Sequence, residues 1–228
     1  MTEGAFCGTC FQAAHRIVSP SCHRCGVPLE NEGLGGPQNC CAACQDHPPV
    51  WRSARAAFVY DTWSRRLILP LKYSDHTENA AVLARQMTLA AEDMLQNVTL
   101  VVPVPLYRTR LWKRRYNQAA LMAQGVSRLA GLPCVVDALQ RVRSTRALAR
   151  LSAGEREREM EHAVRVRKGR GARIEGQAVL LVDDVLTTGS TASACTMALM
   201  KAGAASVDIL VAARTGRVDE QNPRFVQE

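Results

Sequence analysis

The chain has 228 residues, of which 47% are apolar and 5% aromatic, and its 29 basic and 21 acidic side chains give a formal net charge of +8. This length suits one domain of ordinary size, with or without a small module, and the apolar fraction is enough for a buried core. The sequence has no internal repeats, no secretory signal and no apolar stretch of bilayer-spanning length. We therefore expect a cytoplasmic protein rather than a repeat array, a secreted protein or a membrane protein.

Cysteine pairs mark the first fifty residues. Six of the nine cysteines fall in three Cys-x-x-Cys pairs, formed by Cys7 and Cys10, Cys22 and Cys25, and Cys41 and Cys44. Each such turn directs two thiolates at one tetrahedral ion, so the pattern predicts zinc rather than disulfides. Gly26 suits the left-handed turn after a metal-binding knuckle. We therefore predict a structural zinc site made by Cys22, Cys25, Cys41 and Cys44.

Cys7 and Cys10 are left over by this assignment. They either replace one of the other pairs or form half of a second ribbon, and the sequence leaves both alternatives open. A ribbon of this size buries too little apolar surface to fold alone, so bound zinc is expected to supply its stability. Pro48 and Pro49 mark a boundary. The predicted domains are a zinc-ribbon module at 1–50 and a larger domain at 51–228.

The larger domain alternates strand and helix patterns. Short apolar runs predict strands at 56–60, 98–104, 179–182 and 207–213. Helical spacing of apolar residues predicts helices at 75–96, 118–129 and 190–201, with a short helical or irregular segment at 63–73 and a weaker helical piece at 155–164. Strands that alternate with helices predict an α/β fold, in which a parallel sheet is flanked by helices.

Basic residues are concentrated in two stretches. One comprises Arg108, Arg110, Lys113, Arg114 and Arg115 without an intervening acid, and the other spans 141–150. Such a concentration of positive charge attracts polyanionic ligands or nucleic acid. The alternative is a solvated basic face.

The most informative segment runs from Val179 to Thr191. Four branched apolar residues predict a strand buried on both faces, and Asp183 and Asp184 follow it at the edge where parallel sheets bind ligands. The turn after them offers backbone N–H groups, hydroxyls and a helix N-terminus, which favour an anion, and it consists of Thr187, Thr188, Gly189, Ser190 and Thr191. Acids for a diol or Mg²⁺ beside a phosphate cradle together predict a sugar-phosphate site.

This segment resembles the PRPP-binding motif of type I phosphoribosyltransferases. The resemblance implies that Asp183 and Asp184 hold the ribose hydroxyls of PRPP, that the turn at 187–191 wraps the 5′-phosphate, and that Mg²⁺ accompanies the ligand. It also makes Arg110, Lys113 and Arg114 candidates for contacts to the pyrophosphate or to a nucleic-acid backbone.

Two further motifs, Val101-Val102-Pro103-Val104-Pro105-Leu106 and Arg115-Tyr116-Asn117-Gln118, resemble signatures of the ComF family. That family joins an amino-terminal double zinc ribbon to a type I phosphoribosyltransferase domain. The resemblance covers nearly the whole chain and implies a role in natural competence and in the uptake or use of external DNA. Single-stranded DNA and competence proteins are then the expected macromolecular partners.

Two classes of function follow from the resemblance. The first is a phosphoribosyltransferase, that is, a pentosyl glycosyltransferase, of unknown acceptor. The second is a non-catalytic protein that handles single-stranded DNA, in which PRPP or a nucleic-acid phosphate is a regulatory ligand. Purine-salvage enzymes carry a third acid three residues after the acid pair, where this chain has Thr187. No general base, and hence no catalytic residue, is assigned.

One position departs from the family signature at a point of backbone geometry. Arg115 stands where the family usually has a glycine. Such a glycine normally allows a close backbone approach or a positive φ, which arginine resists. The resemblance therefore does not fix the backbone geometry of the loop at Arg115.

Overall fold

This computed structural model describes residues 8–31, 33, 35–36, 39–73, 77–142 and 163–216. The described residues contain eight α-helices and six strands. The helices are α1 (Gly8–Ala13), α2 (Ala42–Asp46), α3 (Thr62–Tyr73), α4 (Glu78–Ala90), α5 (Glu92–Leu95), α6 (Arg108–Arg114), α7 (Gln118–Ala130) and α8 (Ser190–Lys201). The strands are β1 (Ser53–Val59), β2 (Leu100–Pro103), β3 (Leu139–Arg141), β4 (Val164–Val166), β5 (Ala178–Leu186) and β6 (Ser206–Arg214).

Four of these strands form one parallel sheet in the order β1-β6-β5-β2. β5 lies inside the sheet, and its residues from Val179 to Val182 are fully buried. A strand covered on both faces needs apolar side chains at every position, which explains the unbroken apolar run. β3 and β4 form a separate antiparallel pair. The predicted α/β fold with a parallel sheet flanked by helices is confirmed.

The two faces of the sheet belong to different cores because successive side chains of a strand point to opposite sides. Val179 and Leu181 pack with residues of α8 and of the β3–β4 pair. Leu180 and Val182 pack with residues of α3, α4 and α7 on the other face. This alternation determines where the side chains that follow Val182 point.

The amino-terminal segment extends the sheet at the free side of β1. Ile17 N–H donates to Ala57 O at 3.0 Å, and Val59 N–H donates to His15 O at 2.9 Å. Asp208 of β6 is fully buried, and it accepts from Ser53 Oγ at 2.7 Å and pairs with Arg52. These contacts join the amino-terminal part of the chain, β1 and β6 into one body.

The structure differs from the sequence-based predictions in several elements. The helix predicted at 75–96 is divided into α4 and α5, because Ala91 leaves the helical region with φ −127° and ψ 21°. β5 continues to Leu186, beyond the predicted end at 182, because its pairing with β6 continues to Arg214. Val164, predicted at the end of a helical piece, begins β4, and residues 155–162 of that piece lie outside the described residues.

Within the described residues, no helix combines the length and the apolar character needed to cross a lipid bilayer.

Candidate functional site

The carboxyl end of β5 opens into a small pocket. The pocket has a volume of about 80 Å³, and its lining includes Asp183, Val104 and all five residues of the turn at 187–191. Gly189 occupies the N-cap position of α8 with φ +84°, and Thr188 Oγ1 lies 2.9 Å from Ser190 Oγ. The structure therefore brings the predicted phosphate cradle and the first acid of the pair to one place. We call residues 187–191 the phosphate loop, after the role that the sequence predicts for them.

The two acids of the pair face opposite sides of the sheet. Asp183 continues the face of Leu181 and lines the pocket, whereas Asp184 continues the face of Val182 toward α3 and α7. This division follows from the alternation of side chains along a strand. The sequence predicts both acids at one site. In the structure their side chains lie on the two opposite faces of the sheet, near the carboxyl end of β5.

Asp183 is in an environment that disfavours its charge. Burial and, secondarily, the neighbouring charge of Asp184 raise the pKa of Asp183 to about 7. The backbone N–H of Asp184 donates to Asp183 Oδ1 at 2.8 Å, which offsets part of this effect. A carboxyl group of this kind gains from a partner that brings hydroxyl donors or positive charge.

Asp184 already has such partners. Its side chain is buried, and Oδ2 lies 3.0 Å from Lys72 Nζ and 2.9 Å from Gln118 Nε2. Lys72 stands near the carboxyl end of α3, and Gln118 is the first residue of α7. Sequence reasoning did not identify Lys72 as a site residue. Its signal was present only as the segment Leu71-Lys72-Tyr73, which resembles a family element.

The motif Arg115-Tyr116-Asn117-Gln118 joins the elements around Asp184. Tyr116 Oη donates to Leu71 O at 2.8 Å, and Asn117 Nδ2 donates to Val104 O at 2.9 Å. Asn117 Oδ1 accepts from Ala119 N–H at 3.0 Å and caps α7. These bonds connect the end of α3, the segment after β2 and the start of α7, and they hold Lys72 and Gln118 close to Asp184.

The basic cluster between β2 and α7 is helical. Arg110, Lys113 and Arg114 all belong to α6, but the side chains of Arg110 and Lys113 lie outside what the structure describes. Arg114 Nη1 donates to Gln118 Oε1 at 3.3 Å, which places this guanidinium beside the partner of Asp184. Trp112 of the same helix is 87% exposed. Among the side chains of this cluster that the structure describes, that of Arg114 thus lies near the acid site.

The cysteines selected from the sequence converge. The Sγ atoms of Cys22, Cys25, Cys41 and Cys44 all lie within 4.8 Å of one another, and Cys10 is exposed and outside this cluster. Cys7 lies outside the described residues. The Sγ atoms of Cys25 and Cys41 are 3.7 Å apart. Zn–S bonds of about 2.3 Å imply an edge of roughly 3.8 Å in a tetrahedral site, so the four thiols fit a zinc ion.

Hydrogen-bond donors surround one sulfur of the cluster, that of Cys22. The pKa of Cys22 is lowered to about 4, chiefly because the Cys25 thiol donates to its sulfur, with backbone N–H donors adding to the effect. One of these donors is Cys41 N–H, at 3.3 Å. N–H groups aimed at a ligating sulfur are typical surroundings of a structural metal.

Proteins of similar sequence identify the family to which the chain belongs. No protein-family model matches the chain. It is 32% identical over 220 residues to DNA utilization protein YhgH of Salmonella typhimurium, covering 94% of this chain and 92% of that protein. It is 30% identical over 213 residues to competence protein F of Haemophilus influenzae, covering 91% and 90%. The chain belongs to the ComF family.

Among solved structures, glutamine PRPP amidotransferase from B. subtilis resembles the chain at 19% identity and a TM-score of 0.44, covering 64% of this chain and 30% of that one. The family assignment rests on the sequence relatives, whose similarity extends over nearly their full lengths.

Arg115 has the backbone conformation expected from the family glycine, with φ +63° and ψ −19° at the end of α6. A side chain in this left-handed region costs about 1 kcal/mol or more. We predict that Arg115→Gly increases the free energy of unfolding in urea by about 1 kcal/mol. The matched control is Arg128→Gly at an exposed position in α7, which should decrease it by about 1 kcal/mol. A loss of stability in Arg115→Gly would contradict the assignment of strain to this residue.

Proposed function

We propose that the chain binds PRPP together with Mg²⁺ at the carboxyl end of β5. The observation that carries the proposal is the convergence of Asp183 and the entire phosphate loop on one pocket. The N-terminus of α8, which has 12 residues, adds a favourable dipole for a 5′-phosphate. Asp183, which lines the pocket, and Asp184, which contacts Lys72 and Gln118 from the other face, are the proposed acceptors for the two ribose hydroxyls.

The residues around the acid pair also suit the remaining part of PRPP. Lys72 and Arg114 bring positive charge to the side of the sheet where Asp184 lies. Lys72 contacts Asp184, and Arg114 donates to Gln118, which itself donates to Asp184. Both cations therefore lie near the acid pair and offer contacts to a pyrophosphate group. When bound with PRPP, Mg²⁺ supplies further positive charge to the phosphate oxygens, and the carboxylates of the acid pair are the kind of ligand it prefers.

This arrangement favours a phosphoribosyltransferase that acts in the use of external DNA. Displacement of pyrophosphate from the ribose needs a diol clamp, a phosphate cradle and cations near the leaving group, and each has a named counterpart here. No residue is assigned as a general base, so the proposed acceptor is one whose nucleophile is already anionic. The names of the relatives connect the family with DNA utilization and competence. Thiols gathered for a metal rather than oxidised to disulfides suit a cytoplasmic protein.

A second candidate function is the handling of single-stranded DNA with PRPP as a regulatory ligand. The specific observation that favours it is the surface of α6, where Trp112 is 87% exposed and Leu111 is 41% exposed on a helix that also carries four basic residues. An exposed indole among cations can stack on a base while the cations contact phosphates. This function uses the same phosphate loop for its small ligand.

The PRPP proposal predicts that wild-type protein binds PRPP in the presence of Mg²⁺ and that Asp183→Asn weakens binding at least tenfold. The amide is a similar size but lacks the charge that strengthens hydrogen bonds to hydroxyls, which is worth about 1.5–3 kcal/mol. Isothermal calorimetry measures the affinity. Asp93→Asn, which removes the exposed partner of Arg55, is the control and should bind as wild type does. Absence of binding by wild type at millimolar PRPP would refute the proposal.

The DNA proposal predicts that replacing Arg110, Lys113 and Arg114 by alanine weakens single-strand binding. The slope of log K against log salt should decrease by about 0.7 for each DNA phosphate that the variant no longer neutralises. Fluorescence anisotropy with a labelled oligonucleotide, measured over a range of salt concentrations, gives this slope. Arg65→Ala with Arg66→Ala, which removes exposed charge from α3, is the control. An unchanged slope in the α6 variant would show that these residues form a solvated basic face and do not contact DNA phosphates.

A further inference from the structure

We infer that Arg214 and Trp51 are positioning residues through which the knuckle at 22–25 sets the geometry of the phosphate loop. The inference rests on the proposed function only for the identity of the ligand that the loop binds. The mechanical connection itself is a property of the fold.

Arg214 connects the knuckle directly to the loop. Its side chain is buried at the end of β6, and Nε donates to Cys25 O at 3.0 Å. On the other side of the same guanidinium, Nη1 donates to Leu186 O at 2.9 Å and to Thr187 O at 2.7 Å. One planar and permanently charged group therefore holds a carbonyl of the knuckle and the two carbonyls at the entrance of the loop.

The consequence for the loop follows from the shape of the peptide bond. In a planar trans peptide the C=O and the next N–H point in opposite directions. Because Arg214 draws the carbonyls of Leu186 and Thr187 toward itself, the N–H groups of Thr187 and Thr188 point away from the guanidinium. N–H groups are what an anion-binding loop offers to its ligand. Arg214 thus orients the donors of the loop without touching the ligand.

Trp51 makes a second connection at the other end of the loop. Its indole is 5% exposed, and Nε1 donates to Arg24 O at 2.7 Å, in the middle of the knuckle. The ring lies so close to Gly189 that a Cβ there would be 2.6 Å from Trp51 Cη2. Gly189 is therefore required by the indole as well as by its positive φ. The indole packs against the turn of the loop and is itself held by the knuckle.

Backbone carbonyls of the knuckle point toward the larger domain. Three successive carbonyls accept hydrogen bonds from the larger domain: His23 O from Ala54 N–H, Arg24 O from Trp51, and Cys25 O from Arg214. Their directions are set by the turn between Cys22 and Cys25, whose thiols belong to the four-cysteine cluster. The metal that fits this cluster would fix the turn. Loss of the metal would release these carbonyls and, through them, the loop.

Coupling of this kind is reciprocal. If an ordered knuckle strengthens binding at the loop, a ligand at the loop raises the equilibrium affinity of the cluster for its metal by the same factor. Bound ligand should therefore strengthen metal binding at the four cysteines.

The test uses conservative variants of full-length protein. Trp51→Phe removes both the N–H that binds Arg24 and the outer part of the indole that packs against Gly189. Arg214→Lys retains the charge but cannot make both connections. Trp63→Phe, whose ring lies against Phe58, and Arg55→Lys, whose guanidinium pairs with Asp93, are the matched controls. Elemental analysis first establishes the zinc content of every variant.

Hydrogen exchange measured by mass spectrometry gives a readout that needs no ligand. In zinc-loaded Trp51→Phe and Arg214→Lys, amide exchange in the peptide covering 187–191 should rise at least tenfold, while exchange in α7 stays unchanged. The control variants should match wild type in both segments. If the loop exchanges in both test variants as it does in wild type, the inference is wrong, whether or not PRPP binds.

The second measurement is the affinity for PRPP and Mg²⁺ by calorimetry, together with the zinc affinity from equilibrium competition with a chromophoric chelator. Both test variants should bind PRPP at least tenfold more weakly, and saturating PRPP should raise the zinc affinity of wild type but not of the variants. Wild-type PRPP affinity in both variants would overturn the inference. Failure of wild type to bind PRPP would instead refute the proposed function, and the exchange measurement would still decide whether the knuckle orders the loop.

Discussion

The structure depends on one constraint, which is that β5 is buried on both faces and carries two adjacent carboxyl groups near its carboxyl end. Alternation along the strand sends Asp183 and Asp184 to different sides, so each needs its own surroundings. Asp184 is compensated by Lys72 and Gln118, whereas burial and the neighbouring charge raise the pKa of Asp183 to about 7. One acid is thus satisfied within the fold, and the other lines the pocket where a ligand can satisfy it.

The small amino-terminal module has a role beyond its own folding. Its knuckle supplies acceptors to Arg214 and Trp51, and both side chains are buried against the phosphate loop. A buried guanidinium and a buried indole N–H need hydrogen-bond partners. Their bonds connect the loop, the knuckle and the carboxyl end of β6. These contacts give a physical reason for the four-cysteine cluster and the loop at 187–191 to lie in a single chain.

Local patterns in the sequence predicted the parallel sheet, the choice of four cysteines and the pocket at the end of β5. These features depend on residues close together in the chain. Lys72, Arg214 and Trp51 were not identified as parts of the site, because their roles arise from contacts between distant segments, such as Lys72 with Asp184. The β3–β4 pair was missed for the same reason, since short strands gain their stability from a partner rather than from propensity.

A crystal structure of the protein with PRPP and Mg²⁺ bound would test PRPP binding at the end of β5. We expect the 5′-phosphate within hydrogen-bond distance of backbone N–H groups in the loop at 187–191, and the ribose hydroxyls on the carboxylates of Asp183 and Asp184. Trp51 and Arg214 should retain their bonds to the knuckle in that complex. PRPP bound elsewhere, with the loop at 187–191 empty at saturating ligand, would show that this site is not the PRPP site.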